Sequence, residues 1–331
     1  MNLRIFIIFV KKLSFWKLIN YLKVLFSYFI SIVINVVWRS GFPFSMSVEP
    51  NNTCNLKCPE CPVGLGVLKR KKGSINEELY HEIIDQSAKY LLNLFLYFQG
   101  EPFLNKNIFR LIEYADRKKI FVTTSTNGHF LSTDNCLKIL NSGIDKLIIS
   151  LDGTTQDSYS KYRINGNIDV VLEGIRNLVS IRKEKKSLKP YIELQFLVLK
   201  TNEHQIHEVK RLAKSLKVDK LSFKSAQIYD FENDNQFIPE NPKYSRYKKS
   251  NEKWILKNKI KNRCWRLWNS VVITWDGNIL PCCFDKDAEY SFGNIRDSDV
   301  KSICKNDSFK MFANKLLTIR KEIDICKNCS E

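Results

Sequence analysis

At 331 residues with 44% hydrophobic content, the chain can fill one domain of barrel size plus a smaller appendage, which excludes a disordered or fibrous polymer. The formal net charge of +18 at pH 7 calls for an anionic partner or surface, and phosphate, acidic peptide, nucleic acid and lipid headgroups all satisfy it. Nine of the ten cysteines gather in two groups with metal-ligand spacing, at 54–61 and 264–329, which points to metal sites in a reducing cytosol and away from a disulfide framework.

The first 48 residues hold no Asp or Glu, whereas Arg4, Lys11, Lys12, Lys17, Lys23 and Arg39 are basic, so something anionic is expected beside this end. From Leu18 to Trp38 the polar Asn20, Lys23, Ser27, Ser31 and Asn35 recur every three or four residues. That spacing predicts a helix with one narrow polar stripe on an otherwise apolar circumference. Its uncharged run, Val24 to Trp38, would reach only about 22 Å against roughly 30 Å of hydrocarbon, so a transmembrane span is not expected. The run Ile5 to Val10 is short and lacks a small-residue cleavage site, which argues against a signal peptide. Two roles stay open: a helix packed on the body, or an amphipathic helix lying in the membrane interface with its lysines toward headgroups.

After Gly41, short apolar runs alternate with amphipathic stretches, the pattern of repeated strand–helix units on a parallel sheet. Strands are predicted at Phe44 to Val48, Leu94 to Phe98, Ile120 to Thr124, Lys146 to Leu151, Ile192 to Leu199 and Lys220 to Phe223. Helices are predicted at Asn76 to Leu92, Ile108 to Lys118, Thr133 to Leu140, Asp169 to Lys183 and Glu203 to Leu216. Six such units make an incomplete barrel. Periodicity fades over 229–262, where Pro239, Pro242 and many lysines predict a basic linker. Beyond Cys264, the runs Val271 to Trp275 and Asn278 to Leu280 flank Asp276-Gly277, a strong hairpin signal that opens a small second domain. The expected organisation is therefore an amphipathic helical segment at 1–41, a barrel at 42–228, the linker at 229–262 and a cysteine-bearing cap at 263–331.

Directly after the first strand, Cys54, Cys58 and Cys61 give a C-x3-C-x2-C spacing on a loop. Three thiolates suit an iron–sulfur cube and leave one iron without a protein ligand, where a small chelator can dock. A zinc knuckle would need a nearby fourth Cys or His, and the next histidine, His81, falls in a predicted helix. These cysteines, their place and the six-fold pattern resemble the radical S-adenosylmethionine (SAM) superfamily across residues 43 to 225. The resemblance implies a [4Fe-4S] cluster on the three cysteines and SAM chelated at the open iron. It further implies an electron that breaks a carbon–sulfur bond of SAM, giving a 5′-deoxyadenosyl radical that takes a substrate hydrogen.

The same resemblance extends strand by strand. Gln99-Gly100-Glu101-Pro102 is similar to the element that meets the SAM amine, which implies Gly100 and Glu101 there. Ser125-Thr126-Asn127-Gly128 is similar to the ribose-contacting segment, implying Thr126 and Asn127. Ser150, Asp152 and Arg163 resemble the group that holds the SAM carboxylate. All follow the carboxyl ends of strands, where barrel sites are built. Two positions depart: Glu60 stands where the family carries an aromatic ring against adenine, and Gln99 replaces a Gly. Gln195, Lys200 and Lys224 sit near the ends of later strands and are candidate pocket residues, with a surface or packing role equally open.

Downstream, Cys264, Gly277, Cys282, Cys326 and Cys329 resemble a shortened SPASM domain, which implies one auxiliary [4Fe-4S] cluster closed by Cys264, Cys282, Cys326 and Cys329. A zinc site on the same four sulfurs stays open, as does Cys283 in place of Cys282. Cys136 and Cys304 lie on helical patterns and read as small buried hydrophobes.

The expected fold class is α/β, a partial (β/α)6 TIM-like barrel with a small C-terminal iron–sulfur cap and an N-terminal amphipathic helix. The expected function is hydrogen abstraction from a peptide or small-molecule substrate in the cytoplasm, with a ferredoxin or flavodoxin as reductant and peripheral membrane contact through the first helix. Two alternatives stand beside it: a radical enzyme acting on a carbohydrate or lipid precursor at the membrane, and a non-catalytic iron–sulfur or zinc protein bound to nucleic acid, the less favoured partner.

Overall fold

In the computed structural model, which describes residues 3–233 and 235–329, two helices open the chain: α1 (Leu3–Val10) and α2 (Phe15–Ile34). The expected single helix from Leu18 begins earlier because Ser14 caps it, accepting from Lys17 N at 3.4 Å, and ends earlier because Asn35 turns left-handed at φ 53°. Asn20, Ser27 and Ser31 of the expected polar stripe face inward and are buried, as is Lys17, whereas Lys23 and Asn35 are exposed. Asn20 exchanges two 2.8 Å hydrogen bonds with the backbone of Phe42, and Ser31 donates to the Trp38 carbonyl at 2.8 Å.

Two of the basic residues at this end meet anions of the chain itself. Arg4 pairs with Asp219 at 2.9 Å, and Lys12 pairs with Asp116 at 2.5 Å and Asp145 at 3.5 Å. Arg39 donates to the Trp268 carbonyl at 3.2 Å and lies 4.3 Å from the Phe309 ring centre. Phe42, Asp145, Leu188 and Asp219, all touched by these helices, precede strands, so α1 and α2 cross the amino-terminal end of the barrel.

Six parallel strands follow in chain order: β1 (Ser45–Val48), β2 (Asn93–Phe95), β3 (Phe121–Thr126), β4 (Lys146–Ser150), β5 (Tyr191–Val198) and β6 (Lys220–Ser225). Between them run α3 (Pro62–Leu65), α4 (Glu77–Ser87), α5 (Ile108–Arg117), α6 (Thr133–Asn141), α7 (Gln156–Ser160), α8 (Ile168–Glu184) and α9 (Ile206–Ser215). The short α3 and α7 carry too few residues to show a period. Asn76, Ser132 and Asn167 each cap the helix they precede by accepting backbone N–H groups. Buried Leu79, Ile83 and Ile84 of α4 and Leu111 and Ile112 of α5 show the period that made these helices readable. β2 stops at Phe95, short of the expected Phe98, because the chain leaves the sheet to make the Gln99-Gly100 turn.

The segment expected as a linker contains a hairpin, β7 (Tyr247–Ser250) with β8 (Lys253–Leu256). Its Tyr247 packs with Phe237 and Ile238 in a small apolar cluster that also holds Leu56 and Cys58. Alternation in this hairpin is masked by lysines on its outer face. Next come α10 (Trp265–Asn269) and the expected Asp-Gly hairpin, β9 (Ser270–Ile273) and β10 (Asn278–Leu280). β9 pairs in parallel with β1, so with β10 and β11 (Gly293–Asn294) the sheet grows to nine strands. The cap thus continues the barrel wall. It closes with α11 (Val300–Ile303), α12 (Asp307–Ile319) and α13 (Asp324–Lys327). The whole is the expected α/β partial barrel with a C-terminal cap.

Candidate active site

The cysteine loop begins where β1 ends, and buried Glu49 fixes its base by receiving both arms of the Arg70 guanidinium at 2.7 and 2.6 Å. Cys54, Cys58 and Cys61 all face one cavity of about 210 Å³ at the carboxyl end of the barrel. Gly100, Glu101, Thr126, Asn127, Ser150 and Arg163 border the same cavity. Four strand ends are therefore brought to one point.

Several contacts explain how. Gly100 adopts φ +77°, and a Cβ there would stand 2.6 Å from the Thr53 carbonyl, so only glycine lets the turn after β2 lie on the cysteine loop. Glu101 is buried and accepts from Thr126 Oγ1 at 2.9 Å and Asn127 N at 2.8 Å. Burial outweighs those donors and raises its carboxyl pKa to about 7. Asn127 Nδ2 sits 3.8 Å from Cys54 Sγ, and Arg163 Nη1 sits 3.8 Å from Cys58 Sγ. Asp152 does not border the cavity: it accepts from Arg163 Nε at 2.6 Å and from Leu197 N at 2.8 Å, and thereby aims the arginine.

Glu60 turns away from the cavity to accept from Tyr229 N at 3.0 Å and Asn235 Nδ2 at 3.2 Å. Phe98 and Tyr162 supply aromatic rings in the cavity wall, which the sequence did not single out. The position of Phe98 just past the end of β2 was an available signal, whereas Tyr162 follows α7 and had none.

Cys264, Cys282, Cys326 and Cys329 border a second, small space of about 20 Å³ together with Arg320. Arg320 is 1% exposed and donates to Cys329 Sγ at 3.3 Å. Cys283 does not border this space; its sulfur accepts from Arg266 Nη1 at 3.3 Å. Cys136 and Cys304 are buried, as their helical patterns implied. Burial raises the Cys58 and Cys326 thiols to about 11, so holding these sulfurs as thiolates asks for cationic metal. Among the described residues no three His, Cys, Asp or Glu side chains converge as ligands of a single ion.

A third space, about 560 Å³, lies between these two. Tyr97 borders both it and the cysteine-loop cavity, while Cys282 borders both it and the four-cysteine space. Lys224, Ser47, Arg266 and Cys283 also face it. Of the other candidate pocket residues, Lys200 pairs with Glu240 at the surface at 2.8 Å, and Gln195 lies in register with Ser150. Arg266 was missed because nothing in its spacing marks it.

This arrangement, an open three-cysteine loop at a barrel mouth and a closed four-cysteine set in a cap, is that of a reductive SAM-cleaving enzyme with an auxiliary centre. Residues 48–220 match the radical SAM superfamily and residues 264–330 match SPASM, an iron-sulfur cluster-binding domain; the chain belongs to the radical SAM superfamily. It is 25% identical over 316 residues to the tungsten-containing aldehyde ferredoxin oxidoreductase cofactor-modifying protein of Pyrococcus furiosus, covering 86% of each chain. It is 27% identical over 296 residues to the S-adenosyl-L-methionine-dependent 2-deoxy-scyllo-inosamine dehydrogenase of Niallia circulans, covering 87% of this chain and 93% of that one.

Among solved structures it resembles BtrN in complex with AdoMet and 2-DOIA, with TM-score 0.56, 22% identity and coverage of 89% and 95%. It also resembles Streptococcus suis SuiB bound to precursor peptide SuiA, with TM-score 0.62, 16% identity and coverage of 86% and 69%. These two share the fold. The protein is an enzyme that binds a [4Fe-4S] cluster and SAM in its barrel and an auxiliary iron–sulfur cluster in its cap.

Proposed function

We propose that the enzyme removes a hydrogen atom from a small polar metabolite, or from one side chain of a peptide, held in the 560 Å³ space between barrel and cap. The observation that carries this reading is the shared wall: Tyr97 separates that space from the SAM cavity, and Cys282 separates it from the auxiliary centre. When bound, the open cluster supplies the electron that cleaves SAM and so generates the 5′-deoxyadenosyl radical.

The chain's own residues do the rest. Cys54, Cys58 and Cys61 would hold the cluster and leave one iron to SAM. Arg163, aimed by Asp152, and Ser150 would take the SAM carboxylate, while Gly100, Glu101, Thr126 and Asn127 would order its amine and ribose. Lys224, Arg266 and Ser47 would orient the substrate through its oxygen or anionic groups. Cys264, Cys282, Cys326 and Cys329 would close the auxiliary centre, near enough to the substrate space to exchange an electron with it. The similarity to a dehydrogenase of an aminocyclitol along 93% of that protein supports a small polar substrate, and the likeness to a peptide-bound fold keeps one peptide side chain in view. The reaction takes place in the cytoplasm with a ferredoxin or flavodoxin as reductant, for which the +18 charge offers an attractive surface. The N-terminal helices keep the enzyme at the inner membrane face.

Anaerobic incubation with SAM and dithionite tests the reading. The wild type should release 5′-deoxyadenosine, Cys58→Ala should release none, and Lys224→Met should keep release without substrate while losing substrate turnover. Equal release from Cys58→Ala would overturn it.

A further inference from the structure

The first two helices give the membrane contact of the proposed function a definite form, an anchor that rests on that reading. Surface helices ordinarily bury an apolar stripe and show water a polar face. α2 does the reverse. Lys17, Asn20, Ser27 and Ser31 face the barrel, while Phe15 is 70% exposed, Leu22 53%, Phe26 60%, Phe29 56% and Val33 81%. On α1, Leu3, Phe6, Ile7 and Val10 are exposed as well. Soluble monomers rarely expose contiguous apolar patches beyond a few hundred Å², and this one follows a 20-residue helix, about 30 Å long.

Charge identifies what covers it. The two helices carry no Asp or Glu, and Lys11 and Lys23 are exposed beside the apolar face. Lys89 Nζ lies 4.4 Å over the Trp16 ring. Along α1, an open cleft of about 660 Å³ is bordered by Leu3 and Ile7 on one side and by Lys183, Lys186 and Lys217 on the other. An apolar plate rimmed by ammonium groups matches acyl chains under a layer of lipid phosphates. Exposed Trp16 and Trp38 stand near the two ends of α2, where indole rings suit the headgroup boundary.

A second copy would set this basic rim against itself. Spanning is disfavoured for a different reason. α2 is long and apolar enough to cross a bilayer by length and composition, but crossing would strip Asn20 and Ser31 of their partners on the body and carry Lys17 into hydrocarbon.

We propose that α1 and α2 form a monotopic anchor that lies flat in an anionic bilayer, apolar face down. Because they cross the amino-terminal end of the barrel, the cysteine loop at the carboxyl end faces away from the membrane.

Co-sedimentation of the purified full-length protein with phosphatidylcholine vesicles, with and without phosphatidylglycerol, tests this. The wild type should pellet with the anionic vesicles, and its tryptophan emission should be quenched most by lipids brominated near the carbonyl end of the acyl chain. Leu22→Glu/Val33→Glu should lower the partition coefficient at least tenfold with cluster absorbance and 5′-deoxyadenosine release retained. Lys11→Glu/Lys23→Glu should weaken binding to the anionic vesicles alone. Wild type that stays in solution, unchanged binding of the apolar double variant, strongest quenching at the bilayer centre, or a wild-type dimer dissociated by Leu22→Glu/Val33→Glu would each overturn the anchor. A chain that cleaves SAM but ignores vesicles sinks the anchor alone; one that binds vesicles without cleaving SAM sinks the radical reading alone.

Discussion

Arg163 reaches the cysteine loop because Asp152 holds it there. The 2.6 Å ion pair is nearly dry, with side chains 16% and 1% exposed, and the second Asp152 oxygen is fixed by Leu197 N at 2.8 Å. In Asp152→Asn, the amide oxygen keeps the Leu197 bond and the amide nitrogen meets Arg163 Nε–H, donor against donor. Losing a charge-assisted bond of about 1.5–3 kcal/mol should raise the KM for SAM roughly tenfold or more with a smaller fall in kcat, read from 5′-deoxyadenosine release. An unchanged KM would contradict the positioning role. The family resemblance already carried Cys54, Cys58, Cys61, Glu101, Asn127 and Arg163 to one site, because its motifs imply contacts of all six with one cluster and its bound SAM. It could not distinguish Asp152 from Ser150, since two residues so close in the chain differ only in where their side chains turn. Nor could it separate Cys282 from Cys283. In the structure Cys282 faces the other three cysteines and Cys283 faces Arg266.

Elements with one buried face were legible, and those that break that rule were not. α4, α5 and α8 show apolar periodicity, α4 and α8 carry caps as well, and their ends fall within a few residues of expectation except at the carboxyl end of α4. Within α2 the period was plain, but its direction was not, because a polar stripe reads the same whether it meets water or a barrel rim. The β7–β8 hairpin was hidden by lysines, and the parallel pairing of β9 with β1 joins residues 225 apart, a contact without local trace. The cap depends on the turn after α12, where Arg320 donates to the carbonyls of Lys261 and Arg263 and to Cys329 Sγ. Arg320→Met leaves two carbonyls and a sulfur without this donor. Iron per chain should then fall from about eight toward about four, with barrel-cluster content and SAM cleavage without substrate retained. Full iron content in Arg320→Met would show that the turn holds the cap without it.

At the scale of the whole molecule, three layers stack along the barrel axis. A plate of apolar side chains closes the amino end, the 560 Å³ space runs through the middle, and the cysteine loop opens at the carboxyl end with the auxiliary site to one side. The order has a physical basis: parallel strands present all their carboxyl ends to one mouth, leaving the opposite end free to become a surface for something else. Barrel and cap were each foreseeable, but their common sheet was not, and that sheet is what places Cys282 at the wall of the 560 Å³ space. The proposed function requires one cluster that keeps an iron for SAM and another that is fully enclosed. Electron paramagnetic resonance of dithionite-reduced, air-excluded protein, recorded with and without SAM, tests it most directly. Two cluster signals should appear, of which only the one abolished by Cys58→Ala shifts when SAM is added, whereas the one abolished by Cys326→Ala does not. A SAM-induced shift of neither signal, or of the one that depends on Cys326, would contradict it.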